Sequence, residues 1–197
     1  EIQLSRRAKK ARKKVNVLFR ILLISVTVIL IILSSKAFNK LMKKKFYKKE
    51  YSEYVSKYAE EYDVDENLIY AMIKAESNFK NEAQSHKSAK GLMQLMDSTA
   101  KDVAKSLKID SENIDLFDPE TNIMLGTKYI STLIKKYENI EIAVVAYNAG
   151  IGNVDMWIEQ EKINADGSNI ENVPYKESNN YVRKILNFYK TYKKIYK

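Results

Sequence analysis

The sequence predicts a mainly α protein: a helical domain with little or no β-sheet, preceded by one transmembrane helix. Three observations carry that expectation. Among 197 residues there are only 5 Gly and 2 Pro, too few for the turns of an all-β fold. From Tyr51 onward, apolar residues recur at spacings of three and four, the period of a helix buried on one face. Near the N-terminus, Ile21–Leu33 is a charge-free and strongly apolar run.

Taken in order, residues 1–14 read as a basic cytoplasmic segment and residues 15–35 as a membrane anchor. Val15–Arg20 extends the apolar run toward the roughly 20 residues that span a bilayer, and Arg20 is placed to snorkel to the headgroups. Arg6, Arg7, Lys9, Lys10, Arg12, Lys13 and Lys14 precede the run; such a cluster stays in the cytoplasm and puts the C-terminal part outside. Lys36, Lys40, Lys43, Lys44, Lys45, Lys48 and Lys49 follow it, however, so charge alone leaves the orientation undecided. A cleaved signal peptide competes with the anchor, since Ser35-Lys36-Ala37 is a small-x-small site. Residues 36–50 form a basic linker, lying along anionic headgroups or serving as a solvated spacer.

Residues 51–197 are the folded domain, read as successive helices. Asp65 is a plausible N-cap for the helix that carries Leu68–Glu76. Residues 80–90 form a polar loop. Asp97 or Ser98 can cap a helix running to about Leu107. Asp118-Pro119-Glu120 combines a cap, a proline in the first turn and an acid near the positive helix end. Ile123, Ile130, Leu133, Ile134 and Tyr137 give that helix its buried face. Glu141–Tyr147 is short and apolar all round, which marks a central helix, and Asn148-Ala149-Gly150 ends it. Further helices are expected from about Asn153 to Gln160 and from about Lys176.

Composition narrows the chemistry. The net charge of +9 belongs to the N-terminal segment: residues 1–50 hold 15 Lys or Arg against two acids, whereas residues 51–197 carry a net −4. A nucleic-acid partner needs a basic face on the domain itself, so none is expected. Without Cys there is no disulfide or thiolate site. The single His86, in a polar run, reads as a solvated loop residue and leaves no His-based metal cluster.

Glu76 breaks the pattern. Leu68, Met72 and Glu76 are four apart and share a face, so the carboxylate continues a stripe that should be buried. It also lies at the negative end of its helix dipole. Both effects favour the protonated form and raise the pKa, as a general acid at neutral pH requires. A surface glutamate on a helix end is the plainer alternative.

Four separated segments bear on that choice: Ala75-Glu-Ser-Asn-Phe79, Gly91-Leu-Met-Gln-Leu-Met96, Ala146-Tyr-Asn-Ala-Gly150 and Glu177-Ser-Asn-Asn-Tyr-Val182. In this order, with Asp118–Tyr129 between the second and third, they resemble the catalytic domain of the soluble lytic transglycosylases, peptidoglycan-cleaving enzymes of lysozyme-like fold. The resemblance covers roughly residues 55–190. It implies Glu76 as the single acid/base and Ser77 as the residue orienting it or a sugar substituent. It further implies Gln94 and Met96 as cleft lining, Tyr147 and Asn148 as the pair facing the carboxyl and the reacting sugar, and Glu177 and Tyr181 as cleft residues on the last helix. From the residues alone, Met96 and Tyr147 also read as core, Asn148 as a helix cap and Ser77 as a helix end. Trp157 and Tyr175 receive no role.

Most glycosidases pair two carboxylates, and none here partners Glu76; Asp97, Asp102 and Asp118 read as caps or a solvated face. The resemblance accounts for this. Its enzymes use the sugar's own C6 hydroxyl as nucleophile and leave 1,6-anhydro-N-acetylmuramic acid ends, without metal or cofactor. It implies peptidoglycan glycan strands as substrate, and that substrate puts the domain on the extracytoplasmic side of the single-pass anchor read from residues 15–35 of a bacterial membrane protein. A goose-type lysozyme-like muramidase and a weakly active wall-binding module of an envelope machine are the alternatives.

Overall fold

The computed structural model describes residues 23–35, 38–39 and 41–196. The chain divides at Lys48/Lys49 into two units. In the first, helix α1 covers residues 23–35, 38–39 and 41–46 of those described, with its apolar side chains exposed. Among the described residues no helix is long and apolar enough to cross a membrane. This differs from the transmembrane helix expected over residues 15–35. Residues 15–22 lie outside the described residues, and the remaining stretch at 23–35 falls short of the roughly 20 apolar residues a crossing needs.

The second unit is helical. In order it contains α2 (Ser52–Tyr62), α3 (Glu66–Glu76), α4 (Asp97–Ser106), α5 (Pro119–Tyr137), α6 (Ile140–Ala149), α7 (Ile151–Glu159), a 3-10 turn (Ile170–Asn172) and α8 (Lys176–Ile195). Among the described residues the only β pairings are isolated bridges, Gln84 with Lys90 and Lys90 with Leu95. The helix starts follow local chemistry. The Asp65 carboxylate accepts the Asn67 amide at 2.8 Å, Asp118 accepts that of Thr121 at 2.8 Å, and Asn139 accepts that of Ile142 at 2.9 Å. Asp97 does not cap α4: Met96 holds that position without a side-chain bond, and the Asp97 carboxylate pairs with Lys90 at 2.8 Å.

The core lies around α6, whose residues Ile142–Ala146 are all fully buried. Helices α5, α7 and α8 pack on it, α3 packs against α8, and α2 lies on α5. On α5, Ile123, Ile130 and Leu133 are buried as expected, but Ile134 and Tyr137 are only partly so. Their place is taken by Asn122, Leu125, Gly126, Thr127 and Ser131. Gly126 admits close approach: a Cβ there would collide with the Met93 side chain. Asn122 is fully buried yet satisfied. It donates to the carbonyls of Lys90 (3.0 Å) and Leu116 (2.8 Å) and accepts the Met93 amide (2.8 Å). The 90–96 turn is therefore tied to α5 by one side chain.

Candidate active site

Glu76 is the last residue of α3. Its helix buries Leu68–Ile73 completely, and the carboxyl emerges, partly buried, at the floor of a cleft of about 620 Å³. The chain then turns away abruptly, with Asn78 and Phe79 both left-handed at φ of 50° and 68°. Phe79 is buried against Tyr70, so packing holds a backbone conformation that Phe alone disfavours.

The Tyr181 hydroxyl donates to Glu76 Oε1 at 2.5 Å, reaching across from α8. Burial pushes the Glu76 carboxyl up to about 7, against opposing pulls from the Tyr181 hydrogen bond and the positive charge of Lys184. No neighbouring carboxylate contributes to the rise. Glu177, the other acid lining the cleft, is exposed and ion-paired with Lys87 at 3.3 Å. Burial, with the Glu76 charge added, holds the phenols of Tyr147 and Tyr181 well above their ordinary value, so both are neutral donors.

Glu76, Gln94, Met96, Tyr147, Asn148 and Glu177 all line this one cleft. Gln94 is left-handed at φ 49°, and its amide nitrogen donates to the carbonyls of Ala83 (3.0 Å) and Gly91 (2.9 Å), pinning the loop into a wall. Met96 is 41% exposed, so it belongs to the cleft surface and not to the core. The Tyr147 hydroxyl donates to the Met93 carbonyl at 2.9 Å, so it braces the 91–95 turn while its ring packs on Tyr129. Asn148 is exposed and accepts from the Ser178 hydroxyl at 2.7 Å; it does not end α6, a task that falls to Gly150 at φ 84°. Tyr181, expected as a cleft residue, does not itself line the cleft; it meets the acid from α8 through its hydroxyl. Ser77 is set apart: it is buried, its hydroxyl turns back to the Ile73 carbonyl at 3.2 Å, and it does not line the cleft.

Other cleft residues carry no motif in the sequence. Ser85, His86, Lys87 and Ala89 form one rim, which makes His86 a cleft residue as well as an exposed one. Tyr175 lines the cleft at 49% exposure, its ring edge-to-face with buried Trp157. Their only signal was position, between or beside the recognised segments. Among the described residues no group of three or more His, Cys, Asp or Glu could hold a metal.

Residues 53–170 match the family described as the transglycosylase SLT domain. The soluble lytic murein transglycosylase of Escherichia coli K12 is 33% identical over 63% of this chain and 20% of its own length. The membrane-bound lytic murein transglycosylase C of Salmonella arizonae is 41% identical over 52% of this chain and 31% of its own. The chain thus spans less than a third of either relative. Among solved structures, the 70 kDa soluble lytic transglycosylase of E. coli superposes with a TM-score of 0.69 at 27% identity, covering 77% of this chain and 25% of that one. Lytic transglycosylase Slt of Pseudomonas aeruginosa gives 0.68 at 29% identity, over 75% of this chain and 24% of that one. With well over half its length matched and the same helical fold, this chain belongs to the transglycosylase SLT domain family.

Proposed function

We propose that this chain is a peptidoglycan lytic transglycosylase with Glu76 as its single acid/base. The observation that carries the reading is the partly buried carboxyl at the cleft floor, near neutrality in pKa, met by a hydroxyl and not by a second carboxylate. In this reading the protonated form of Glu76, still well populated at neutral pH because its pKa is raised to about 7, gives its proton to the oxygen linking N-acetylmuramic acid to N-acetylglucosamine, and the C1–O bond breaks. The carboxylate then takes the proton of the C6 hydroxyl, whose oxygen bonds to C1 and closes the 1,6-anhydro ring. The nucleophile is already part of the sugar, so orienting it lowers the barrier without a second protein group.

Tyr181 steadies the carboxyl, and Gln94, Tyr147 and Asn148 shape the wall that receives the reacting sugar. Met96 and Glu177 bound the cleft on opposite elements, and Ser77 closes the helix behind the acid. Residues 15–35 anchor the chain, placing the domain outside the cytoplasmic membrane within reach of the wall. The helical, apolar 23–35 stretch supports the anchor, and the extracytoplasmic side follows from the proposed substrate, because the basic clusters on both flanks do not choose between the two orientations.

Mass spectrometry of digested peptidoglycan tests the reaction. Anhydro-ended muropeptides are expected, and reducing ends in their place would make the protein a muramidase. Glu76→Gln is expected to lower activity by at least about a thousandfold, on the scale set by loss of a proton donor and acceptor. Unchanged activity in that variant would remove Glu76 from the mechanism.

A further inference from the structure

A sole carboxylate faces conflicting demands. Burial favours its neutral form and so helps proton donation, but the same burial opposes the ionised form that must exist before the second proton transfer. The protein needs something that favours the carboxylate without holding it permanently ionised.

The last helix supplies a candidate. Tyr181 and Lys184 are three apart on α8 and so share a face. While Tyr181 meets the Glu76 carboxyl, the Lys184 ammonium donates to the Ala75 carbonyl at 2.7 Å. That carbonyl is one of the terminal acceptors a helix leaves to outside partners, and it sits at the negative end of the α3 dipole. Titratable and charged groups reach Glu76 from several sides. Tyr147 faces it from α6, Tyr181 and Lys184 from α8, while His86, Lys87 and Glu177 line the same cleft. Lys87 is engaged with Glu177, and Lys184 is the cation whose charge acts on Glu76.

We propose that Lys184 is a positioning residue for the acid–base cycle: its ammonium grips the turn that carries Glu76 and keeps a positive charge beside the carboxylate formed after proton donation. The proposal rests on the reading of Glu76 as the acid. Because Lys184 is exposed, its charge is partly screened, and it biases the carboxylate without locking it.

NMR titration of the Glu76 carboxyl carbon tests this in the whole chain, with no substrate required. Lys184→Gln removes the charge and keeps a donor; the Glu76 midpoint should rise by roughly half a pH unit. Lys184→Arg should leave it near the wild-type value. In the wild type, raising the salt concentration should move the midpoint upward as Lys184 is screened, and that salt response should vanish in Lys184→Gln. On peptidoglycan, the alkaline limb of kcat/KM should follow the same order. An unchanged midpoint in folded Lys184→Gln, or an equal shift in Lys184→Arg, overturns the proposal. If Lys184→Gln does not fold, a wild-type midpoint indifferent to salt overturns it instead. Absence of anhydro products from the wild type would defeat the enzymatic reading, while the titration would still decide the role of Lys184.

Discussion

At the scale of single residues, the raised pKa of Glu76 has a thermodynamic counterpart. Its ordinary value is 4.5 and its folded value about 7. Below pH 4.5 the group is protonated in both states and costs nothing. Between 4.5 and 7 the folded state binds more protons than the unfolded one, so stability falls as pH rises, and above 7 the cost is constant. Glu76→Gln should therefore be more stable than wild type at pH 8, by up to roughly 3 kcal/mol, and about equal at pH 4. Urea unfolding at the two pH values checks the difference. Tyr181→Phe removes the 2.5 Å hydrogen bond. Since that bond lowers the Glu76 pKa, the titration midpoint should move up, and kcat should fall by roughly 10–100-fold with little change in KM, the worth of one bond to a charged group. Steady-state kinetics separates the two parameters. The burial of Glu76 was readable from its place in the Leu68–Met72 row, because a stripe four residues apart needs no knowledge of the rest of the fold. Lys184 and Ser178 were not readable. Their partners, Ala75 and Asn148, lie 109 and 30 positions away, and a lysine on an amphipathic helix looks the same whether or not its end meets a carbonyl.

At the scale of elements, the helices starting after Asp65, Asp118 and Asn139 are built from caps that act within three residues. The first two were legible for that reason. Asp97 misled because Lys90 competes for its carboxylate, a choice made by the fold of the preceding turn. The cleft wall at 90–96 is likewise a tertiary product. Its shape depends on Asn122, 29 positions beyond Met93, and on Gly91, whose φ of +76° and contact with Asn122 leave no room for a Cβ. Asn122→Ala strips hydrogen bonds from three backbone groups, two of them buried, and should destabilise by about 2–4 kcal/mol. Denaturant unfolding should show a lower midpoint at unchanged slope. Activity at temperatures where the variant stays folded should fall too, since Gln94 and Tyr147 both hold on to that turn.

At the scale of the whole molecule, residues 49–197 enclose their own core, and the apolar run lies in the other unit. Expressed in a bacterium, the full chain should sediment with membranes and resist an alkaline carbonate wash, and residues 49–197 alone should stay in the supernatant. A soluble product beginning at Phe38 would support a cleaved leader in place of an anchor. The pairing of α3 with α8 also says something about the order of manufacture. Glu76 and Tyr181 stand 105 positions apart, and the ribosome delivers the acid first. Until α8 emerges, the carboxyl has neither the hydroxyl nor the ammonium that seats it, and a chain terminated early carries the reactive group without its holder. For a protein proposed to cut the polymer that contains its own cell, competence arrives only with completion.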